Sequence, residues 1–393
     1  MSKLNKVLFG FWIVSLAALV FVVVAFGIDP IDMERKDVKN TVAVTEMHEN
    51  VASESPKIEE PVVEKKVEPE PEPVVVKDSI RFAMLGDVLL HLRLAKYKDY
   101  SSSFAAVTPL MQSYDYLIAN QESPPVGNKY ALSGYPQFSS PPHIIRDIQN
   151  AGVDMVNLAN NHTVDKGEGG VRTIFENLAT HNMPYAGAYK SKEDANKPRI
   201  LEFGSIKIGV LGYTYGTNGL YLPKGSPFIV NYIHEEKMTA DIQALRDLVD
   251  VVVVSMHWGP EYTVSENDYQ RHHAKVLNQA GADIIFGTHP HVLQPYTKLK
   301  NDVGHETHVF YSLGNYFSTI LTIPNTMVGG IGSFEITKVG ETVTIGKPQF
   351  DATATLLDKD GVYRVYPLAD VEARAVQNLG WVKKVLGEGV LVH

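Results

Sequence analysis

The sequence predicts an α/β protein, a mostly parallel sheet with helices on its faces. Three observations carry this expectation. Short apolar runs alternate with amphipathic helical stretches from residue 79 onward. One run, residues 249–255, is rich in valine, as in a strand buried on both faces. Polar clusters stand at the ends of the apolar runs, where open α/β sheets place their active sites. They read Gly86-Asp87, Asn120-Gln121-Glu122, Asn160-Asn161-His162, His257-Trp258-Gly259, Gly287-Thr288-His289-Pro290-His291 and Ser312-Leu313-Gly314-Asn315.

The chain opens with Lys3 and Lys6 ahead of an uncharged apolar run, residues 7–28. As a helix this run is roughly 30 Å long, enough to cross a bilayer. A cleaved signal peptide is the alternative, with Ala25-Phe26-Gly27 as a cleavage candidate, but the run exceeds a usual signal core. The lysines precede the run and Asp29 and Asp32 follow it, so residues 1–6 are expected in the cytoplasm and the main domain outside the cell. Residues 29–78 hold most of the acidic excess and include Glu68-Pro69-Glu70-Pro71-Glu72-Pro73, which predicts a disordered, extended stalk. The folded domain is expected over residues 79–393.

Within it, residues 80–85 and 114–119 read as strands. Residues 142–151 read as a helix stopped by Gly152. A strand over 155–158 precedes a helix over 170–181, and a strand over 206–212 precedes a helix over 235–248. The valine-rich strand then leads to His257. A helix over 269–279 closes at Gly281, and strands over 283–286 and 309–312 follow. Beyond Gly330 the apolar residues alternate, as in an antiparallel pair.

The chain has no cysteine, which excludes disulfides, thiolate nucleophiles and zinc–thiolate sites. Its net charge is −9 and no basic stripe stands out, so broad nucleic-acid binding is disfavoured. Asp, Glu, Asn and His at strand ends are instead the ligand set of a hard or borderline cation. Asp87 after a bendable glycine suits a cation ligand, with a turn or N-cap aspartate as its rival. Glu122 offers metal or substrate contact, and Asn120 either orients it or binds directly. Asn160 and Asn161 fit a site or a turn, while His162 fits an acid or an electrostatic group. His257 ends the most buried strand and needs a partner or a metal; Glu261 is a candidate supporting residue. His289 and His291 alternate about Pro290, and an extended segment would point both imidazoles to one side. His272 and His273 lie on a helix with no partner cluster and read as surface or packing residues. His91 either approaches the site or caps a helix, and Asn315 either marks a turn beside the site or serves it as a supporting or substrate-contacting residue.

Taken in order, these motifs resemble the CapA family of poly-γ-glutamate capsule synthesis proteins, relatives of the calcineurin-like metallophosphoesterases. The likeness runs from about residue 80 to beyond Phe317. It implies a four-layer α/β/β/α sandwich. It implies that Asp87, Glu122, Asn161, His257, His289 and His291 occupy ligand positions for one or two divalent ions (Mn, Fe or Zn), with His162 as the neighbouring acid. Metallophosphoesterases typically begin Asp-x-His, and here position 89 is Leu. Glu122 also stands where those enzymes carry a bridging aspartate. The expected role is a single-pass component of capsule polymer synthesis or export. Its expected partners are the membrane, other capsule-synthesis subunits, and poly-γ-glutamate or another anionic polymer. Metal-dependent hydrolysis of a phosphoester or of the polymer amide is the alternative.

Overall fold

The structure, a computed structural model, describes residues 77–320 and 323–393. The expected anchor and nearly all of the expected stalk lie outside the described residues. Among the described residues, no helix is long and apolar enough to cross a membrane.

Two sheets form the body. The first is built from β1 (Lys77–Val88), β2 (Tyr116–Gln121), β3 (Met155–Asn157) and β4 (Tyr185–Ala186). These four strands are parallel neighbours in that order. A two-stranded ribbon pairs β5 (Ala188–Tyr189) with β8 (Ile229–Val230). The second sheet has β6 (Ile200–Phe203), β7 (Ile206–Thr214), β9 (Val251–His257), β10 (Ile284–Thr288), β11 (Leu293–Lys300) and β12 (Glu306–Leu313), in the order β11-β12-β10-β9-β7-β6. The chain then returns to the first sheet through β13 (Asn315–Phe317), β14 (Val328–Val339), β15 (Thr342–Ile345), β16 (Gln349–Leu357), β17 (Tyr363–Pro367) and β18 (Leu391–Val392). Both sheets are mixed. The inner strands are parallel as expected, but β14 runs antiparallel to β1 and pairs with it from Lys77 to Leu85.

Helices longer than one turn are α1 (His143–Ala151), α2 (Gly167–Thr180), α3 (Glu235–Arg246), α4 (Asp268–Ala280) and α5 (Leu379–Leu386). Gly152 and Gly281 stop α1 and α4 at positive φ, a conformation that costs glycine little. Successive strand residues face opposite sides, and β1 shows the result. Ile80, Phe82 and Met84 enter a core shared with Ile208, Val253, Phe286 and Phe310 of the second sheet. Ala83 and Leu85 face Ile144, Ile148, Ile174 and Leu178 of α1 and α2. On the far side, Val252, Val254 and Ile285 pack against Met238, Ile242, Ala274 and Leu277 of α3 and α4. The layers therefore run helix, sheet, sheet, helix. Each fully buried Phe, Ile or Leu contributes about 1.5–3 kcal/mol.

Strand edges predicted from sequence are short by a few residues at the functional end. β1 continues through Asp87, β9 through His257 and β10 through Thr288. Polar side chains there are held inside the ladder instead of in loops, because buried partners receive them. Gly86 permits this: a Cβ there would lie 2.0 Å from the Gly314 carbonyl oxygen.

Candidate metal centre

The register of the sheets assembles the site. Asp87 lies opposite Asn120 on β2 and Asn315 on β13. His257 lies opposite Thr288 on β10 and Thr214 on β7. The six expected ligands, Asp87, Glu122, Asn161, His257, His289 and His291, are all buried.

Asp87 is held on both oxygens. Its Oδ1 accepts from Asn120 Nδ2 at 2.7 Å. Its Oδ2 accepts from the His289 backbone N–H at 3.3 Å and lies 3.1 Å from His291 Nδ1. Asn120 thus orients Asp87 and not Glu122, and Asn157 holds Asn120 in turn at 3.1 Å. Asn315 presents Oδ1 at 3.0 Å from His291 Nδ1 and donates to the Thr326 carbonyl. Asn160 binds the Gln121 carbonyl and receives the His162 backbone N–H, so it shapes the turn that carries Asn161 and His162.

Glu122 Oε1 lies 3.7 Å from both His257 Nε2 and His291 Nε2. His257 Nε2 is 3.0 Å from Asn161 Oδ1, and its Nδ1 is 3.0 Å from Thr288 Oγ1. Glu122, His289 and His291 each offer a donor atom within 4.8 Å of the others. Both Glu122 oxygens and His289 Nδ1 are buried without a hydrogen-bond partner. Such orphaned lone pairs are costly unless something electropositive receives them. The donor set therefore fits a divalent cation, and Asn120 behind Asp87 and Thr288 behind His257 are supports of the kind that orient candidate ligands.

His289 and His291 do converge, though not through an extended segment. Both adopt positive φ, 95° and 60°. The tight turn brings the rings to 5.9 Å between centroids and His289 to 4.7 Å from His257. Non-glycine residues in that region mark a strained backbone at a functional site.

Burial, reinforced by the Asp87 charge, pushes the Glu122 carboxyl well up. Burial pushes His257 and His289 well down, so both are neutral imidazoles with a lone pair to give. At His291 burial acts downward, but the Glu122 and Asp87 carboxylates outweigh it and raise the ring to about 9. An ion-free site thus retains protons that a cation displaces.

Above the cluster lies a cavity of about 440 Å³, walled by His91, Phe138, Asn161, His162, Tyr262 and His291, among others. His162 Nδ1 is 2.8 Å from Asp165 Oδ2, with both side chains buried, and its ring packs edge-on against Phe138 at 4.6 Å. Glu261 is exposed at the rim. Leu89 and His91 both line the wall. Burial and the nearby His291 and His162 hold His91 down at about 4. No lysine or arginine lines the cavity among the described residues.

Sequence reasoning passed over Asp165, Asn157 and Tyr215. Asp165 stands three residues after His162, a spacing that signals a facing pair in a helical turn. Tyr215 stacks 4.7 Å from His289, just past the end of β7, where no polar cluster announced it. His272 was expected to lack partners, yet α3 brings Glu235 to 2.8 Å from its Nε2.

Residues 81–319 match the family described as "Bacterial capsule synthesis protein PGA_cap". Similar curated proteins include the PGA biosynthesis protein CapA of Bacillus subtilis (strain 168), 29% identical over 282 residues, covering 67% of this chain and 72% of that protein. The capsule biosynthesis protein CapA of Bacillus anthracis is 28% identical over 253 residues, 61% of this chain and 60% of that one. Among solved structures, a hypothetical protein from Thermus thermophilus aligns over 69% of this chain and 98% of its own, at 17% identity and a TM-score of 0.42. A 5'-nucleotidase precursor from the same organism aligns over 68% and 54%, at 14% identity and a TM-score of 0.41. The matched segment contains every residue of the candidate metal centre, and the chain belongs to the family of bacterial capsule synthesis proteins.

Proposed function

We propose that this chain is a membrane-anchored component of poly-γ-glutamate capsule synthesis or export, whose folded domain stands outside the cell and handles the polymer at a divalent-metal centre. The carrying observation is the buried set of unpartnered donors, Glu122 and His289, beside His257, Asn161 and His291. The names of the Bacillus relatives support the polymer, and the apolar run 7–28 supports the anchor. Asp87, Glu122, Asn161, His257, His289 and His291 would hold one or two ions of Mn, Fe or Zn. A bound ion supplies Lewis acidity at the cavity floor. Because the lining lacks lysine and arginine, an anionic substrate would be received there by the imidazoles and the cation.

A second reading, hydrolysis of a phosphoester or of the polymer amide, is favoured by the His162–Asp165 pair. Asp165 fixes the proton of a neutral His162 on Nδ1, leaving Nε2 to take or give a proton at the substrate. Partner subunits of the capsule machinery belong to the same proposal.

The test is complementation of a producing strain that lacks the gene. His289→Ala should lower both the metal content of the protein and polymer output at least about 10-fold; normal output from metal-free protein refutes the metal reading. For hydrolysis, purified full chain is assayed on a generic phosphodiester and on poly-γ-glutamate. His162→Ala should slow turnover about 10²–10⁴-fold with metal content unchanged. No turnover of either substrate by the wild type removes hydrolysis and leaves assembly.

A further inference from the structure

Away from the cavity, the described residues bring together one more set of metal-ligating side chains, on the outer helical layer. Glu235 is the first residue of α3, and His272 and His273 lie in the second turn of α4. A carboxylate oxygen of Glu235 and one ring nitrogen of each histidine lie within 4.8 Å of one another. His272 Nε2 is 2.8 Å from Glu235 Oε1. The two rings stand perpendicular, 5.1 Å between centroids.

His273 differs from an ordinary surface histidine. It is buried, its ring packs at a tilt against Tyr269 with 4.2 Å between centroids, and its Nδ1 lies 2.9 Å from the Tyr269 carbonyl oxygen. A carbonyl only accepts, so the proton sits on Nδ1 and the lone pair on Nε2. Metal-binding histidines characteristically carry such a backbone contact on the other nitrogen. His272 and Glu235 are exposed and free to adjust. Four-coordinate zinc holds its donors about 2.0–2.2 Å away, roughly 3.4 Å from one another. Glu235 and His272 start from 2.8 Å, and both are exposed and free to rotate toward that spacing about the fixed His273.

We propose that Glu235, His272 and His273 form a second cation site, which takes a borderline divalent ion of the zinc class and clips α3 to α4. Two imidazoles and one carboxylate select zinc, nickel or copper over magnesium, calcium or manganese. Water completes the coordination on the exposed side. The clip acts on a helix that also supports the cavity rim. Gln270, in the preceding turn, forms the α4 capping box with Asn267 and bonds Gln294 at 2.7 Å. Gln294 in turn donates to the Thr263 and Ser265 carbonyls, in the loop that carries Glu261 and Tyr262.

The test uses the untagged full chain with the cavity centre silenced by Glu122→Gln and His289→Ala, stripped with chelator and given zinc. One equivalent should remain after gel filtration. At 100-fold excess of free zinc over Kd the melting temperature should rise by about 3 °C or more. Adding His272→Gln or Glu235→Gln, both at exposed positions, should abolish both effects, and manganese should bind at least about 100-fold more weakly. If the silenced chain does not fold, the count is taken by difference, and His272→Gln in the otherwise native chain should lose one equivalent of zinc. Absence of zinc from the silenced chain, zinc retained after His272→Gln and Glu235→Gln, or equal binding of manganese overturns the proposal.

Discussion

Replacing Glu122 by glutamine separates a metal ligand from a structural carboxylate, because the two roles give opposite signs. The side chain is fully buried, and neither oxygen has a hydrogen-bond partner. Its carboxyl is pushed well above the usual range by burial and by Asp87. A carboxyl whose folded pKa exceeds its unfolded value binds its proton more tightly in the native state. The ion-free wild type should therefore lose stability as pH rises above about 4.3, the unfolded value, until the folded pKa is reached. Glutamine has the same shape and no charge to bury. Ion-free Glu122→Gln should melt at or above the wild type, with the gap larger at pH 7 than at pH 5. Each pH unit between the unfolded and folded values costs the ion-free wild type about 1.4 kcal/mol that the variant is spared, roughly 3 °C for a domain of this size. With a cation the order reverses. At 100-fold excess over Kd, an ion stabilises the wild type by about 2.7 kcal/mol, again roughly 5 °C, and the variant should gain almost nothing. Manganese is the suitable probe, since the His272–His273 pair on α4 holds it poorly. Scanning calorimetry of wild type and variant, with and without manganese and at both pH values, reads all eight melting temperatures. A variant that keeps the manganese-dependent rise, or that melts several degrees below the wild type without ion, refutes the ligand assignment.

Three further outcomes follow from the geometry. Asp87→Asn combined with His289→Ala should reduce polymer output scarcely more than the worse single change, because the residues act as one unit; multiplicative losses in the complementation assay contradict a shared centre. Gly86→Ala should cost more than about 3 kcal/mol in denaturant unfolding, since the added methyl meets the Gly314 carbonyl and the central strand cannot yield; a loss under about 1 kcal/mol contradicts the packing described. At Asp358, burial acts upward, but the Tyr366 hydroxyl and the Arg374 and Arg364 guanidinium groups outweigh it and hold the carboxyl at about 2. Its stabilisation is complete above about pH 4 and lost as pH falls toward 2. Asp358→Asn should cost about 1 kcal/mol at pH 7, after allowance for solvent screening, and flatten the acid limb of the melting curve.

The inner parallel strands and the helices with glycine stops were legible, because apolar period and capping chemistry are local. The polar strand ends were legible as a candidate site for the same reason, since a residue such as His257 has no place in a buried strand without partners. What lay beyond reach was pairing between distant segments. That Asn120 serves Asp87 depends on the cross-strand register, which a one-residue bulge at Gly86 sets. That His289 and His291 converge depends on left-handed backbone that no side-chain pattern announces. The antiparallel partner of β1 comes from residues 328–339, and Glu235 reaches His272 only because two helices share a face of the second sheet.

The long-range pairing of β1 bears on how the protein is made. β1 carries Asp87, yet the neighbour it meets along most of its length is β14, and the side chains of Ser79 and Glu335 bond across 256 residues. A ribosome delivers the N-terminal end first. The opening strand must wait with one flank bare while the whole second sheet is synthesised, and non-local closure of this kind is slow. His291 and Asn315 arrive late as well, so no early fragment of the chain contains the complete donor cluster. Capture of the proposed ion is thereby postponed to the last stage of folding. A truncated chain that ends before β14 keeps all six candidate ligands but lacks the strand that flanks β1 as far as Leu85, and should leave the ribosome unable to sequester the ion.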